Sequence, residues 1–141
     1  MVAERPESEE AALDAYGRNL GIAFQLVDDA IDYVSDARTM GKDAGDDFRE
    51  GKMTLPVILA FARGEAEERR FWKDAIEGRR AADADFAYAV ELVGRTRAVA
   101  DTLARARHYG ARAIDAIGGF PDGAAKRAMV EAVQFAVARA Y

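Results

Sequence analysis

The chain has 141 residues, 50% of them hydrophobic and 32% charged. At that size a single domain burying about 70% of its unfolded surface is expected. It has no cysteine and one histidine, His108, which excludes disulfides, thiolate zinc sites, cysteine nucleophiles, iron–sulfur clusters and multi-histidine metal centres; a metal here must be held by oxygen, as Mg²⁺, Mn²⁺ and Ca²⁺ are. The formal charge is −5, with 13 acids against 5 bases in residues 1–50 and 12 against 15 in residues 51–141, a balance that argues against a nucleic-acid partner and makes the first part a place for cations.

Alanine supplies 31 residues and proline 3, a composition suited to an all-helical chain. No apolar run approaches the ~18 residues of a membrane span. The opening MVAERPESEE lacks the basic and apolar regions of a signal peptide, and a cytoplasmic protein is expected.

Residues 1–7 read as a leader, after which Ser8 is placed to cap a helix with Glu9 and Glu10 in its positive first turn. Leu13, Tyr16, Leu20, Phe24, Val27 and Ile31 recur at helical spacing, carrying that helix to about Tyr33. Residues 34–52, with Gly41, Gly45 and Gly51 among polar side chains, read as one long loop, a length usually reserved for function or disorder. Thr54 is placed to cap a short apolar helix with Pro56 in its first turn, ending at Arg63 before Gly64. Further helices are expected over Glu65–Ile76, Asp83–Val93 and Thr96–Ile117, the last weakened by Gly110. Gly118, Gly119 and Pro121 break it, and Asp122 is placed to cap a final helix carrying Met129, Val133, Phe135 and Val137. No repeat or convincing strand is present.

The chemistry concentrates in Leu20–Tyr33, LGIAFQLVDDAIDY. With Gln25 set at zero, Asp28 falls at about 300°, Asp32 at about 340° and Asp29 at about 40° around the helix. The four polar side chains share one arc, flanked on both sides by apolar residues, so the helix is expected to be buried with its acidic stripe facing a cavity. Three carboxylates in so narrow an arc need cations or protons, and Asp28 and Asp32 stand one turn apart. The loop that follows adds Lys42 and Lys52 beside glycines and a second acidic pair, Asp46 and Asp47. Carboxylates can hold a cation, the cation can bridge to phosphate, and lysines can neutralise the remaining charge. GDDFREGKMT is not a P-loop, since it has five residues between its glycines and Met53 after the lysine. The aspartates also lack the order of an EF-hand.

Taken together, Gly21–Asp32, Gly41-Lys42, the run GDDFREGK from Gly45 to Lys52, and Thr54-Leu55-Pro56 resemble the second aspartate-rich motif of the trans-polyprenyl diphosphate synthases and the loop after it. The likeness is to long-chain bacterial enzymes of the octaprenyl and decaprenyl type. It implies an all-α helical bundle, part of the isoprenoid synthase fold, with residues 1–141 forming the C-terminal portion of a single domain. The implied reaction is the Mg²⁺-dependent condensation of an allylic diphosphate with isopentenyl diphosphate, Mn²⁺ being a substitute cation. By the same resemblance Asp28, Asp29 and Asp32 serve the metal, Gln25, Lys42 and Lys52 the diphosphate, and Phe24 lies near the prenyl chain.

The family's first aspartate-rich motif with its arginine pair has no counterpart here, nor do its upstream isopentenyl diphosphate residues. Arg69-Arg70 and Arg79-Arg80 read as helix-surface charges, and His108 as a structural or surface residue. The chain alone is therefore expected to bind Mg²⁺–diphosphate weakly and not to catalyse condensation. Self-association, or docking to a separate N-terminal half, is expected from unpartnered apolar faces. A non-catalytic helical interaction module is the reading from another class. A terpene cyclase is disfavoured because its second motif carries Asn, Ser and Glu.

Overall fold

The structure, a computed structural model, describes residues 6–34, 44–80 and 82–140. Among these residues the chain forms seven helices and no strand: α1 (Glu7–Ile31), α2 (Asp46–Arg49), α3 (Leu55–Arg63), α4 (Ala66–Ile76), α5 (Asp83–Arg95), α6 (Ala98–Ala116) and α7 (Ala124–Ala138). Six of them follow the apolar periodicity. The seventh, α2, lies inside the segment expected to be a continuous loop.

The helix ends differ from expectation for local reasons. Pro6, not Ser8, occupies the cap position of α1. Its missing N–H costs nothing there, and its φ of −54° leads directly into the helix. Ser8 falls inside the first turn beside Glu7, Glu9 and Glu10. Asp122 does not cap α7; Gly123 precedes that helix, and the Asp122 carboxylate instead lies 3.5 Å from Lys126 Nζ. Thr54 holds the cap position of α3 without a side-chain cap bond. Thr96 closes α5, its hydroxyl donating to the Leu92 carbonyl at 2.7 Å. Arg97 then turns the chain with a positive φ of 60° before α6. Glu65 opens α4, its backbone N–H donating to Glu68 Oε2 at 2.9 Å in a capping box.

The arginine pairs do structural work at the surface. Arg69 donates to the Phe61 and Ala62 carbonyls that end α3. Arg79 pairs with Asp74 at 2.6 Å and Arg80 with Asp85 at 3.6 Å.

Two apolar clusters hold the helices together. In the first, Val27, Ala30 and Ile31 of α1 pack on Leu103 and Ala106 of α6. α7 packs against both α1 and α6, and the Tyr16 hydroxyl donates to the Met129 carbonyl at 2.8 Å. Gly110 has a packing reason as well as a helical penalty: a Cβ there would stand 2.9 Å from Val137 Cγ1 and 3.2 Å from Val133 Cγ1. Its absence lets α6 and α7 approach closely.

The second cluster is aromatic. Phe48 of α2 has its ring centroid 6.2 Å from Phe71, 6.5 Å from Trp72 and 5.8 Å from Phe86. Tyr33 approaches Phe86 at 6.1 Å. Phe48, Trp72 and Tyr33 are all buried. Because Phe48 is fixed among rings from α4 and α5, the short α2 is fixed with it.

The expectation of a buried α1 holds only for its C-terminal third. Val27 and Ala30 have no exposed surface, but Phe24 is 48% and Leu13 45% exposed. Gly17, Gly21 and Gln25 are exposed too, and nothing lies within 4 Å of the point where a Cβ would stand on either glycine.

Candidate functional site

The site is built where the end of α1 meets the start of α2. The acidic stripe of α1 descends from exposed Gln25 through half-buried Asp28 to Asp29, which is 7% exposed, and Asp32, which is fully buried. Gln25 Nε2 donates to Asp29 Oδ1 at 2.9 Å, one helical turn apart. That bond orients the carboxylate and favours its charged form. Burial works the other way and dominates, pushing the Asp29 carboxyl above the ordinary aspartate range; the charges of Asp47 and Asp28 raise it further, and Lys52 lowers it.

Asp47 joins the three aspartates of the stripe. It is 8% exposed, and one of its carboxylate oxygens stands 3.7 Å from Lys52 Nζ. The other, Oδ2, is buried without a hydrogen-bond partner among the described residues. Asp47 is anchored through its backbone, whose N–H donates to Asp32 Oδ2 at 2.8 Å and whose carbonyl accepts from the Lys52 N–H at 2.9 Å. Lys52 is thereby held next to the carboxylates, its side chain about half exposed. Tyr33 lies under the cluster. Burial, then the charges of Asp32, Asp47 and Asp29, push its phenol far above the usual range, so it stays neutral.

Phe24 is on the exposed side of α1, under the guanidinium of Arg139. The Arg139 Cζ stands 3.9 Å above the ring centroid, and Arg139 Nη2 donates to the Phe24 carbonyl at 3.1 Å. A cation–π contact of this kind is worth about 0.5–2 kcal/mol. Lys42 and Gly41 lie outside the described residues.

The pair Asp46-Asp47 is visible in the sequence, but the link between Asp47 and the α1 stripe is not. The available signal was the Gly45–Phe48 run, in which a glycine precedes two acids and an aromatic anchor. Arg139 carried no local signal, being 115 residues from its partner.

The donor set is entirely oxygen and suits a hard divalent cation. A bound cation would relieve both the buried Asp47 oxygen that lacks a partner among the described residues and the Asp29 carboxyl, whose charged form is opposed first by burial and then by Asp47 and Asp28. Among the described residues no group of three or more histidine, aspartate or glutamate side chains is placed to hold a metal ion. A cation held by one or two of these carboxylates would complete its shell with water and phosphate oxygens, the usual mode for Mg²⁺. The residues fit such an open site.

The family profile described as polyprenyl synthetase matches residues 1–93. Octaprenyl diphosphate synthase of Haemophilus influenzae is 36% identical over the whole chain, which covers 43% of that protein. Octaprenyl diphosphate synthase of Escherichia coli is 37% identical over 93% of the chain and 40% of the relative. Among solved structures, a polyprenyl synthase from Caulobacter crescentus complexed with calcium and isoprenyl diphosphate superposes with a TM-score of 0.88 at 45% identity, over 97% of this chain and 42% of that one. A decaprenyl diphosphate synthase from Rhodobacter capsulatus gives 0.87 at 38% identity, over 96% and 42%. The chain thus spans about two fifths of the length of these relatives. Among the described residues no helix is long and apolar enough to cross a membrane.

Proposed function

The chain belongs to the polyprenyl synthetase family, and from that premise we propose that it forms the second aspartate wall of a long-chain polyprenyl diphosphate synthase. The reaction is the head-to-tail condensation of an allylic diphosphate with isopentenyl diphosphate, in a cytoplasmic setting, towards isoprenoid chains such as those of quinones. The observation that carries this reading is the convergence of Asp29, Asp47 and Lys52 beneath the Gln25–Asp28 stripe, on a backbone shared with a synthase solved with calcium and isoprenyl diphosphate.

When bound, Mg²⁺, or Mn²⁺ in its place, supplies charge stabilisation to the departing diphosphate. The chain's own residues do the rest. Asp28 and Asp29 present oxygens to the cation. Gln25 keeps the Asp29 carboxylate turned towards it. Lys52, on its short tether to Asp47, places an ammonium beside the diphosphate oxygens. The family pattern gives Lys42 the same task and sets Asp32 with the metal group. Phe24, its ring covered on one face by Arg139, offers an apolar surface for the first prenyl units.

One aspartate wall cannot preorganise two substrates, so the 141-residue chain alone is not expected to elongate. A second observation favours a pairing role. Leu13 and Ile22 expose apolar surface on α1, beside Gly17 and Gly21, and a helical partner supplying the remaining fold would cover it. The test is incubation with Mg²⁺, farnesyl diphosphate and isopentenyl diphosphate, with and without a separately produced N-terminal half of a related synthase. No elongation by the chain alone and elongation by the mixture is the expected result. Robust elongation by the chain alone would refute the need for a partner, and none from a mixture proven to associate would favour a non-catalytic module.

A further inference from the structure

We infer that Asp32 is a positioning residue, tethering the start of α2 so that Asp47 and Lys52 stand against Asp29, and is not itself a ligand to the cation. The inference rests on the cation–diphosphate site proposed above. α2 has four residues, too few to sustain a helix unaided. Its first N–H groups have no intrahelical acceptors, and the residue before it, Gly45, has no side chain with which to cap them and a φ of 95°.

Asp32 supplies what Gly45 lacks, from 15 residues upstream. Its main-chain carbonyl accepts the Gly45 N–H at 3.2 Å, and its Oδ2 accepts the Asp47 N–H at 2.8 Å. Both acceptors are oxygens, and the side-chain one needs only a lone pair to hold the Asp47 N–H. On the opposite side Phe48 is gripped by the aromatic cluster. Held at both sides, α2 can orient Asp47 in only one way. Asp32 itself has no accessible surface, whereas Asp28 is half-buried and Gln25 exposed. A hydrated cation carrying a diphosphate can therefore reach the upper stripe, and Asp32 acts on it from below through Asp47.

Mn²⁺ binding by the chain, followed by electron paramagnetic resonance with inorganic diphosphate present, separates the two roles when combined with amide hydrogen exchange at Asp47. In Asp32→Asn the amide oxygen still accepts the Asp47 N–H, so affinity stays near wild type and the Asp47 amide stays protected. In Asp32→Ala affinity falls about ten- to a hundredfold, as when an outer partner of a metal ligand is removed, and the Asp47 amide exchanges faster. Asp28→Asn loses affinity with the Asp47 amide still protected. The inference is overturned if Asp32→Asn loses as much affinity as Asp28→Asn while Asp47 stays protected, since that is how a direct ligand behaves. It is also overturned if a folded Asp32→Ala keeps wild-type affinity. Wild-type chain showing no diphosphate-dependent Mn²⁺ binding would instead refute the site, and the inference with it.

Discussion

At Asp29, burial and neighbouring acids oppose the charge that a cation site needs. Its folded carboxyl holds a proton more tightly than the same group in the unfolded chain, chiefly through burial. Its contribution to stability is therefore complete below the ordinary aspartate range and is lost as pH rises through the raised value. Asp29→Asn is expected to melt at a higher temperature than wild type near neutral pH, with the gap closing towards pH ~4. A gap of constant size in thermal melts followed by circular dichroism would contradict this account. Gly51 and Gly17 give a second residue-scale contrast. Gly51 has a φ of 70°, and a Cβ there would stand 2.6 Å from the Ile76 carbonyl oxygen. Gly51→Ala should therefore destabilise by at least about 1–2 kcal/mol. Gly17 is helical with open space at its Cβ, so Gly17→Ala should stabilise by up to about 1 kcal/mol. Denaturant titration of both variants checks the opposite signs.

Among the elements, α2 matters most relative to its length, because its side chains join the site to the aromatic core. Phe48 is 2% exposed and meets three rings. Phe48→Ala should cost about 3–5 kcal/mol, as large-to-small core changes do. It should also shift the emission of the single tryptophan, Trp72, whose ring stands edge-on to Phe48. Unchanged emission and a loss under about 1 kcal/mol would show that α2 is not seated in the core. This element was illegible in the sequence for a physical reason. Three polar residues and one aromatic, DDFR, are too short a run to show a helical period, and what stabilises them is Asp32 and three rings far along the chain. The longer helices were legible because Val27, Ile31, Leu103 and Ala106 repeat at the period of a buried face. Their caps were less so: Pro6 displaced Ser8 and Gly123 displaced Asp122, because several residues near a helix start can serve and only the backbone path chooses. In the site, the α1 stripe could be read from spacing alone, whereas the contribution of Asp47 depended on a fold-back that spacing does not encode.

On the scale of the whole molecule, the described helices complete one side of the site and leave another side of α1 uncovered. Composition limits any metal to oxygen ligands, and the structure brings carboxylates of α1 and α2, Asp28, Asp29 and Asp47, near one another. The apolar exposure at Leu13, Ile22, Phe24 and Phe135 accords with a chain spanning two fifths of its relatives. The central claim is that these carboxylates bind diphosphate only through a divalent cation. Calorimetric titration of inorganic diphosphate into the chain tests it most directly, with and without Mg²⁺ and repeated with Asp28→Asn. Binding that requires Mg²⁺ and is lost in Asp28→Asn is the expected result; equal binding without Mg²⁺, or undiminished binding by Asp28→Asn, would show that the carboxylates do not act through a cation.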